Sequence, residues 1–175
     1  MTVEPITEEE AAPRGGTPHL KAVGPLPESA ALLACSLMYA PTALILAVAE
    51  NIDLTTDLDQ PAATILSTIV DLARENTVSP ALVLDELRRH GRADRRTATW
   101  LANAAVAGAP PESARRYAAM VVSESLRRQT ESLGTAMRSG SRTASEAELR
   151  HLVATGSQRI KKITERLSAL RGVEL

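Results

Sequence analysis

Apolar residues in the last third of the chain recur with the period of packed helices. Leu149, Val153, Gly156, Ile160, Ile163, Leu167 and Leu170 follow one another at steps of 4, 3, 4, 3, 4 and 3, which is a heptad seam. A stripe so narrow cannot enclose a core by itself, so it must face either the preceding helix or a second copy of the chain. The seam starts cleanly. Ser139-Gly140-Ser141-Arg142 interrupts the preceding pattern, and Ser145 followed by Glu148 forms a capping box, whose hydroxyl and carboxylate satisfy amides that the first helical turn leaves unpaired. Upstream, Pro111 to Arg138 places Ala118, Val122, Leu126, Gln129, Leu133 and Met137 along one side. The spacing predicts a long helix that folds back on its successor as an antiparallel hairpin.

The first two thirds read as shorter helices divided by prolines and glycines. Glu28 to Ala40 sets Leu32, Leu33, Ser36 and Leu37 on one face, and Pro41 opens a short helix through Ala49. An acidic loop, Glu50 to Asp59, precedes a helix capped by Asp59 and opened by Pro61, with Ile65, Leu66, Ile69, Val70 and Leu72 as its apolar face. Ser79-Pro80 starts the next helix, carrying Leu82, Val83, Leu84 and Leu87 and ending at Gly91. Asp94 caps another, through Trp100 and Leu101 to Ala107, with Gly108 as its stop. The expected core is Leu33, Leu37, Ile65, Ile69, Leu84, Leu87, Trp100 and Leu101. Residues 1–24 carry Glu8-Glu9-Glu10, Gly15-Gly16 and three prolines without periodicity and are expected to be a disordered tail. The resulting division is a tail (1–24), a helical globule (25–110), a helical hairpin (111–170) and a short C-terminal tail (171–175).

Composition narrows the class. No segment alternates with a period of two, phenylalanine is absent, and only Trp100, Tyr39 and Tyr117 are aromatic. A core of Leu, Ile, Val and Ala suits helix packing better than a sheet held by aromatic and β-branched cross-strand pairs. The expected fold class is all-α, a small helical bundle followed by the hairpin. A single cysteine excludes an internal disulfide framework, and the chain opens without a secretory pattern. Ala30 to Ala49, the most apolar stretch, is interrupted by Pro41 and by polar residues, so it predicts buried helices and no membrane span. A soluble, cytoplasmic protein is expected.

Charge changes the picture in one respect. The net charge is only −1, yet residues 25–87 hold nine acids against one base, whereas 88–175 hold seventeen bases against eight acids. Arg88, Arg89, Arg92, Arg95 and Arg96 form the densest basic cluster, spanning a helix end, a turn and a helix start. Guanidinium groups there could grip phosphates or a protein partner, although no aromatics interleave with them for base stacking. Catalytic apparatus is missing from the inventory: there is no phosphate-binding loop and no strand to carry a dinucleotide fingerprint. Cys35 reads as a small core residue, His90 as a residue favoured at a helix C-terminus, and His19, His90 and His151 are too scattered for a metal site. No enzyme activity, cofactor or metal is expected. Gly156 carries two readings, a break in the second hairpin helix or a close backbone approach of the neighbouring helix at the seam.

The order of these features resembles the N-terminal domain of the bacterial replicative helicase family, DnaB, from about Pro25 to Leu170. The resemblance rests on Pro27-Glu28-Ser29 leading into Ala34-Cys35-Ser36-Leu37-Met38, on Ile65-Leu66, on Val78-Ser79 followed by Leu84, Leu87 and Gly91, on Trp100-Leu101, and on Tyr117-Ala118 after a proline turn. The chain departs from the family pattern at Cys35, where the family has glycine, at Leu66, where it has phenylalanine, and at Ser79, where it has aspartate. The resemblance implies a helical globule with a hairpin that pairs with other copies, and a docking surface for primase and helicase loaders. In the family the ATP-driven motor is a separate C-terminal domain, which this chain is expected to lack. A stand-alone collar-domain homologue follows as the expectation: a homodimer or higher oligomer, associating through the seam Leu149, Val153, Gly156, Ile160, Ile163, Leu167 and Leu170 and binding helicase, primase or loader. The alternative expectation is a nucleic-acid-binding regulator that uses the basic half.

Overall fold

A computed structural model describes residues 28–75 and 78–172, and among them every regular element is helical. The elements are α1 (Ser29–Met38), α2 (Thr42–Ala49), α3 (Ala62–Arg74), α4 (Pro80–Arg89), α5 (Arg95–Ala105), a 3-10 turn (Pro111–Ser113), α6 (Ala114–Gly140) and α7 (Glu146–Arg171). The fold is all-α. The N-terminal tail, His19 and the last three residues of the C-terminal tail lie outside the described residues, while Arg171 belongs to α7.

Helix α1 is the hub and packs against α3, α5, α6 and the 3-10 turn. Its composition explains this: Leu33, Ala34, Cys35, Ser36, Leu37 and Met38 are all buried, and a helix without a polar face has to be surrounded. Around it the core is closed by Ile45 and Val48 of α2, Ile65, Leu66 and Ile69 of α3, Val83 and Leu87 of α4, Leu101 of α5 and Val121 and Val122 of α6. Of the expected core, Leu33, Leu37, Ile65, Ile69, Leu87 and Leu101 are buried. Leu84 and Trp100 are corrections, since both are only partly buried at the edge of the core. The inward face of α4 turns about Val83 and Leu87, one helical turn apart, which rotates Leu84 toward the rim.

Local signals set several helix ends. The Ser79 and Asp94 side chains accept the amides of Leu82 and Thr97, at 3.3 and 2.7 Å, and Pro80 takes the first helical position, where its missing amide costs nothing. Helix α4 stops where Gly91 adopts φ +66°, and the Arg92 amide returns to the Leu87 carbonyl at 2.8 Å. Two expected starts differ. Pro41 and Pro61 are the residues flanking α2 and α3 rather than their first helical residues, and α3 has no side-chain cap from Asp59.

The two long helices run antiparallel. Leu149 lies against Gly140, Leu133 against Gly156, and Arg159 donates to Gln129 Oε1 at 3.3 Å, so positions climb on α7 as they descend on α6. Helix α6 has 27 residues and spans about 40 Å. Its buried residues lie between Ala114 and Ser125, and those of α7 between Ile163 and Leu170. The hairpin is therefore rooted in the same core as the globule, and the sequence division at 110/111 separates stretches of chain, not cores. Beyond that root, from Leu126 to Lys162, the two helices form an arm without a fully buried side chain.

Candidate interaction surface

The seam splits into two functions along α7. Ile163, Leu167 and Leu170 are buried within the chain's own core, at 2%, 7% and 6% exposure. This corrects their place in a self-association surface, because they could face a second copy only by leaving the core. Leu149, Gly156 and Ile160 are half-buried against α6, and Val153 is 44% exposed. Helix α7 continues through Gly156 without a break. A Cβ added there would meet the Leu133 methyl carbons at 2.4 and 2.7 Å, so the glycine admits the side chain of the opposite helix. The break is thereby excluded, and the expected close backbone approach is corrected to a side-chain one, since Leu133 and not the α6 backbone fills the space over Gly156.

The arm exposes apolar atoms because two helices alone cannot surround a common interior. Val153 is joined by Met137, 40% exposed, and by the half-buried Leu133, Leu149, Leu152 and Ile160. The turn between the helices is closed by the capping box: Ser145 Oγ accepts the Glu148 amide at 3.3 Å, and Glu148 Oε2 takes the Ser145 amide at 2.8 Å. That backbone amide, with the Ser145 hydroxyl, holds the Glu148 carboxyl below its ordinary range.

The root of the arm is tied to the acidic loop by an ion pair that local sequence signals could not reveal. Asp57, whose side chain is fully buried, binds both guanidinium nitrogens of Arg166, on α7, and also accepts the Asp53 amide at 2.9 Å. The Asp57 carbonyl receives Arg128 of α6 at 2.7 Å, and Ser125 donates to the Thr56 carbonyl at 3.4 Å. Within the loop the Thr55 hydroxyl and amide hold the Asp53 carboxyl below its ordinary value. Asp57 and Arg166 are 109 residues apart, so only the pattern of one acid among many marked the loop.

The arginine cluster disperses. Arg89 pairs with Asp85 and Glu86 on its own helix, at 3.4 and 3.0 Å, and Arg96 donates to the Gln60 carbonyl at 3.2 Å. Arg88, Arg92 and Arg95 are exposed and meet no acceptor among the described residues. His90 flanks the end of α4, where its Nε2 lies 2.8 Å from Glu86 Oε1. A second basic feature, unmarked as a unit in the sequence, is a groove beside α6 of about 730 Å³, lined by Arg115, Arg116, Arg127 and Arg171 together with Glu112 and Glu124, around Ala119, Met120 and Leu170. Its signal was present as paired arginines, but their convergence with the end of α7 needed the hairpin to be closed.

Cys35 is 3% exposed and its Sγ lies 3.8 Å from the Ala105 carbonyl, in a setting of packed side chains. Among the described residues no three His, Cys, Asp or Glu side chains converge as metal ligands, and no helix is long and apolar enough to cross a membrane. Neither a family model nor any curated protein or solved structure matches the chain.

Proposed function

We propose that this chain is a non-catalytic DNA-replication accessory protein. On this reading it acts like the N-terminal domain of the replicative helicase, self-associating through its hairpin arm and binding helicase, primase or loader. The observation that carries the reading is the arm itself, two long helices that leave the core together and keep Val153, Met137 and their half-buried neighbours uncovered. A second copy is the occupant that fits. An antiparallel pairing of two α7 helices about Val153 and Ala154 sets Glu146 opposite Lys161 in both halves, so the pairing is isologous and closes on itself. The order of sequence features shared with the helicase domain supplies the replication context.

The test is the solution mass of the purified protein, alone and mixed with the replicative helicase and primase of the same organism. A dimer is expected, and Val153→Asp is expected to reduce it to a monomer with an unchanged helical circular dichroism spectrum. Ile163 is unsuited to this test because a charge there would enter the core. A wild-type monomer, or a Val153→Asp dimer, would overturn the interface. A dimer that joins neither protein would remove the replication context and leave the assembly.

A second reading, a nucleic-acid-binding regulator, is favoured by the three arginines of the α4–α5 corner that meet no acceptor, Arg88, Arg92 and Arg95. It predicts binding to random duplex that weakens steeply as salt rises, since neutralised phosphates release their counterions.

A further inference from the structure

We infer that the arginine groove beside α6 is a binding site for an acidic, apolar-anchored peptide segment, and that its occupant is this chain's own N-terminal stretch from Val3 to Glu10. The groove follows one face of α6. Arg116, Met120, Ser123 and Arg127 recur at steps of 4, 3 and 4, which places them in line over about 16 Å. Arg171, at the last turn of α7, and Arg115 complete the basic part of its lining.

Two properties select the ligand. Arg115, Arg116, Arg127 and Arg171 are all exposed and none meets a carboxylate or another acceptor among the described residues, so the groove presents cations open to an incoming anion. Its floor is apolar, with Met120 40% exposed beside Ala119 and Leu170, and methionine adapts its shape to varied apolar anchors. A polyphosphate fits this surface poorly. Glu112 and Glu124 share the lining with the four arginines, which leaves a modest positive surplus suited to a few carboxylates, and no aromatic ring lines the groove for a base to stack on. A segment that combines apolar anchors with carboxylates matches both features.

Residues 3–10 have that composition. Val3 and Ile6 supply apolar side chains, and Glu4 and Glu8-Glu9-Glu10 supply four carboxylates without an intervening base. The place where the described chain starts completes the argument. Ser29, its first helical residue, donates to Glu124 Oε2 at 2.8 Å, and Glu124 itself lines the groove. The described chain thus begins beside the groove's edge. The 17 residues between Glu10 and Glu28 can span up to about 60 Å when extended, more than the length of the groove.

Paramagnetic broadening in the full-length protein tests this directly. A nitroxide is attached at Thr7→Cys; Cys35, 3% exposed, is shielded from the reagent. Loss of amide signal is expected along 112–127 of α6 and around Arg171, with the opposite face of the arm unaffected. Glu8→Gln, Glu9→Gln and Glu10→Gln together should restore those signals, as should raising the salt to about 1 M, where the screening length falls to about 3 Å. A circular dichroism spectrum and thermal midpoint matching the wild type serve as the folding control for the combined variant. Broadening spread evenly over the surface, or unchanged in the glutamine variant, would overturn the proposal. A mixture of isotope-labelled chains with unlabelled nitroxide-bearing chains separates the occupants: broadening in that mixture at the same strength would assign the groove to a neighbouring copy's segment and overturn the intramolecular arrangement.

Discussion

Asp57→Ala removes the carboxylate that ties the acidic loop to Arg166 of α7 while keeping the backbone carbonyl that receives Arg128 of α6, and its cost can be worked from the geometry. The Asp57 side chain is fully buried and that of Arg166 retains 20% exposure. Breaking a buried pair by deleting one partner costs roughly 3–5 kcal/mol, chiefly because the remaining charge is left uncompensated. Residual exposure lets Arg166 recover some hydration, so the lower end, about 3 kcal/mol, is expected. The Asp53 amide loses its acceptor as well, which prevents a much smaller value. For a chain of this size about 2–4 °C of melting temperature accompanies each kcal/mol, giving a fall of about 6–12 °C. Urea unfolding followed by circular dichroism, at one protein concentration so that assembly does not shift the midpoint, measures the loss. The decisive comparison is with Arg166→Met and with the double variant. If the pair is coupled as the structure has it, Asp57→Ala with Arg166→Met should be less destabilised than the sum of the singles by about 2 kcal/mol. Strict additivity, or a cost below about 1 kcal/mol for Asp57→Ala, would refute the reasoning.

At the arm, Gly156→Ala gains about 1 kcal/mol of helix propensity but drives Leu133 off its rotamer at a cost of the same order, so a change within about 0.5 kcal/mol is expected. Adding Leu133→Ala relieves the clash, and the pair should then be more stable than the sum of its singles; additive midpoints in urea would show that Leu133 does not occupy the space over Gly156. Two exposed carboxylates set an acid limb. Asp94, which accepts the Thr97 amide, and Glu148, which accepts the Ser145 amide, are both held below their ordinary values. Their folded-state values are depressed, so their stabilisation is present above the unfolded values and is lost as pH falls through the folded ones. Urea midpoints should drop below about pH 4.5, and more shallowly in Asp94→Asn with Glu148→Gln; an identical slope in that variant would assign the limb to other groups. Ser79→Ala should cost about 1 kcal/mol through loss of the α4 cap, and an unchanged thermal midpoint would show that the Leu82 amide finds another acceptor.

What was legible in the sequence was whatever neighbours in the chain decide. The Ser145–Glu148 box, the Ser79 and Asp94 caps and the stop at Gly91 each join residues within about one helical turn, so propensity and hydrogen-bonding chemistry settle them before any packing occurs. The heptad pattern likewise announced that α7 has an apolar stripe. Which partner covers that stripe was beyond reach of its periodicity. Only closure of the hairpin onto the globule decided that Ile163, Leu167 and Leu170 enter the core while Val153 stays at the surface, because burial depends on where the helix ends relative to the other elements. The same holds for Gly156, whose neighbour Leu133 lies on another helix, and for the four arginines that share a groove. Asp57 and Arg166 make the point most plainly: a pair 109 residues apart leaves no local trace, since its stabilisation exists only once the core has brought loop and helix together.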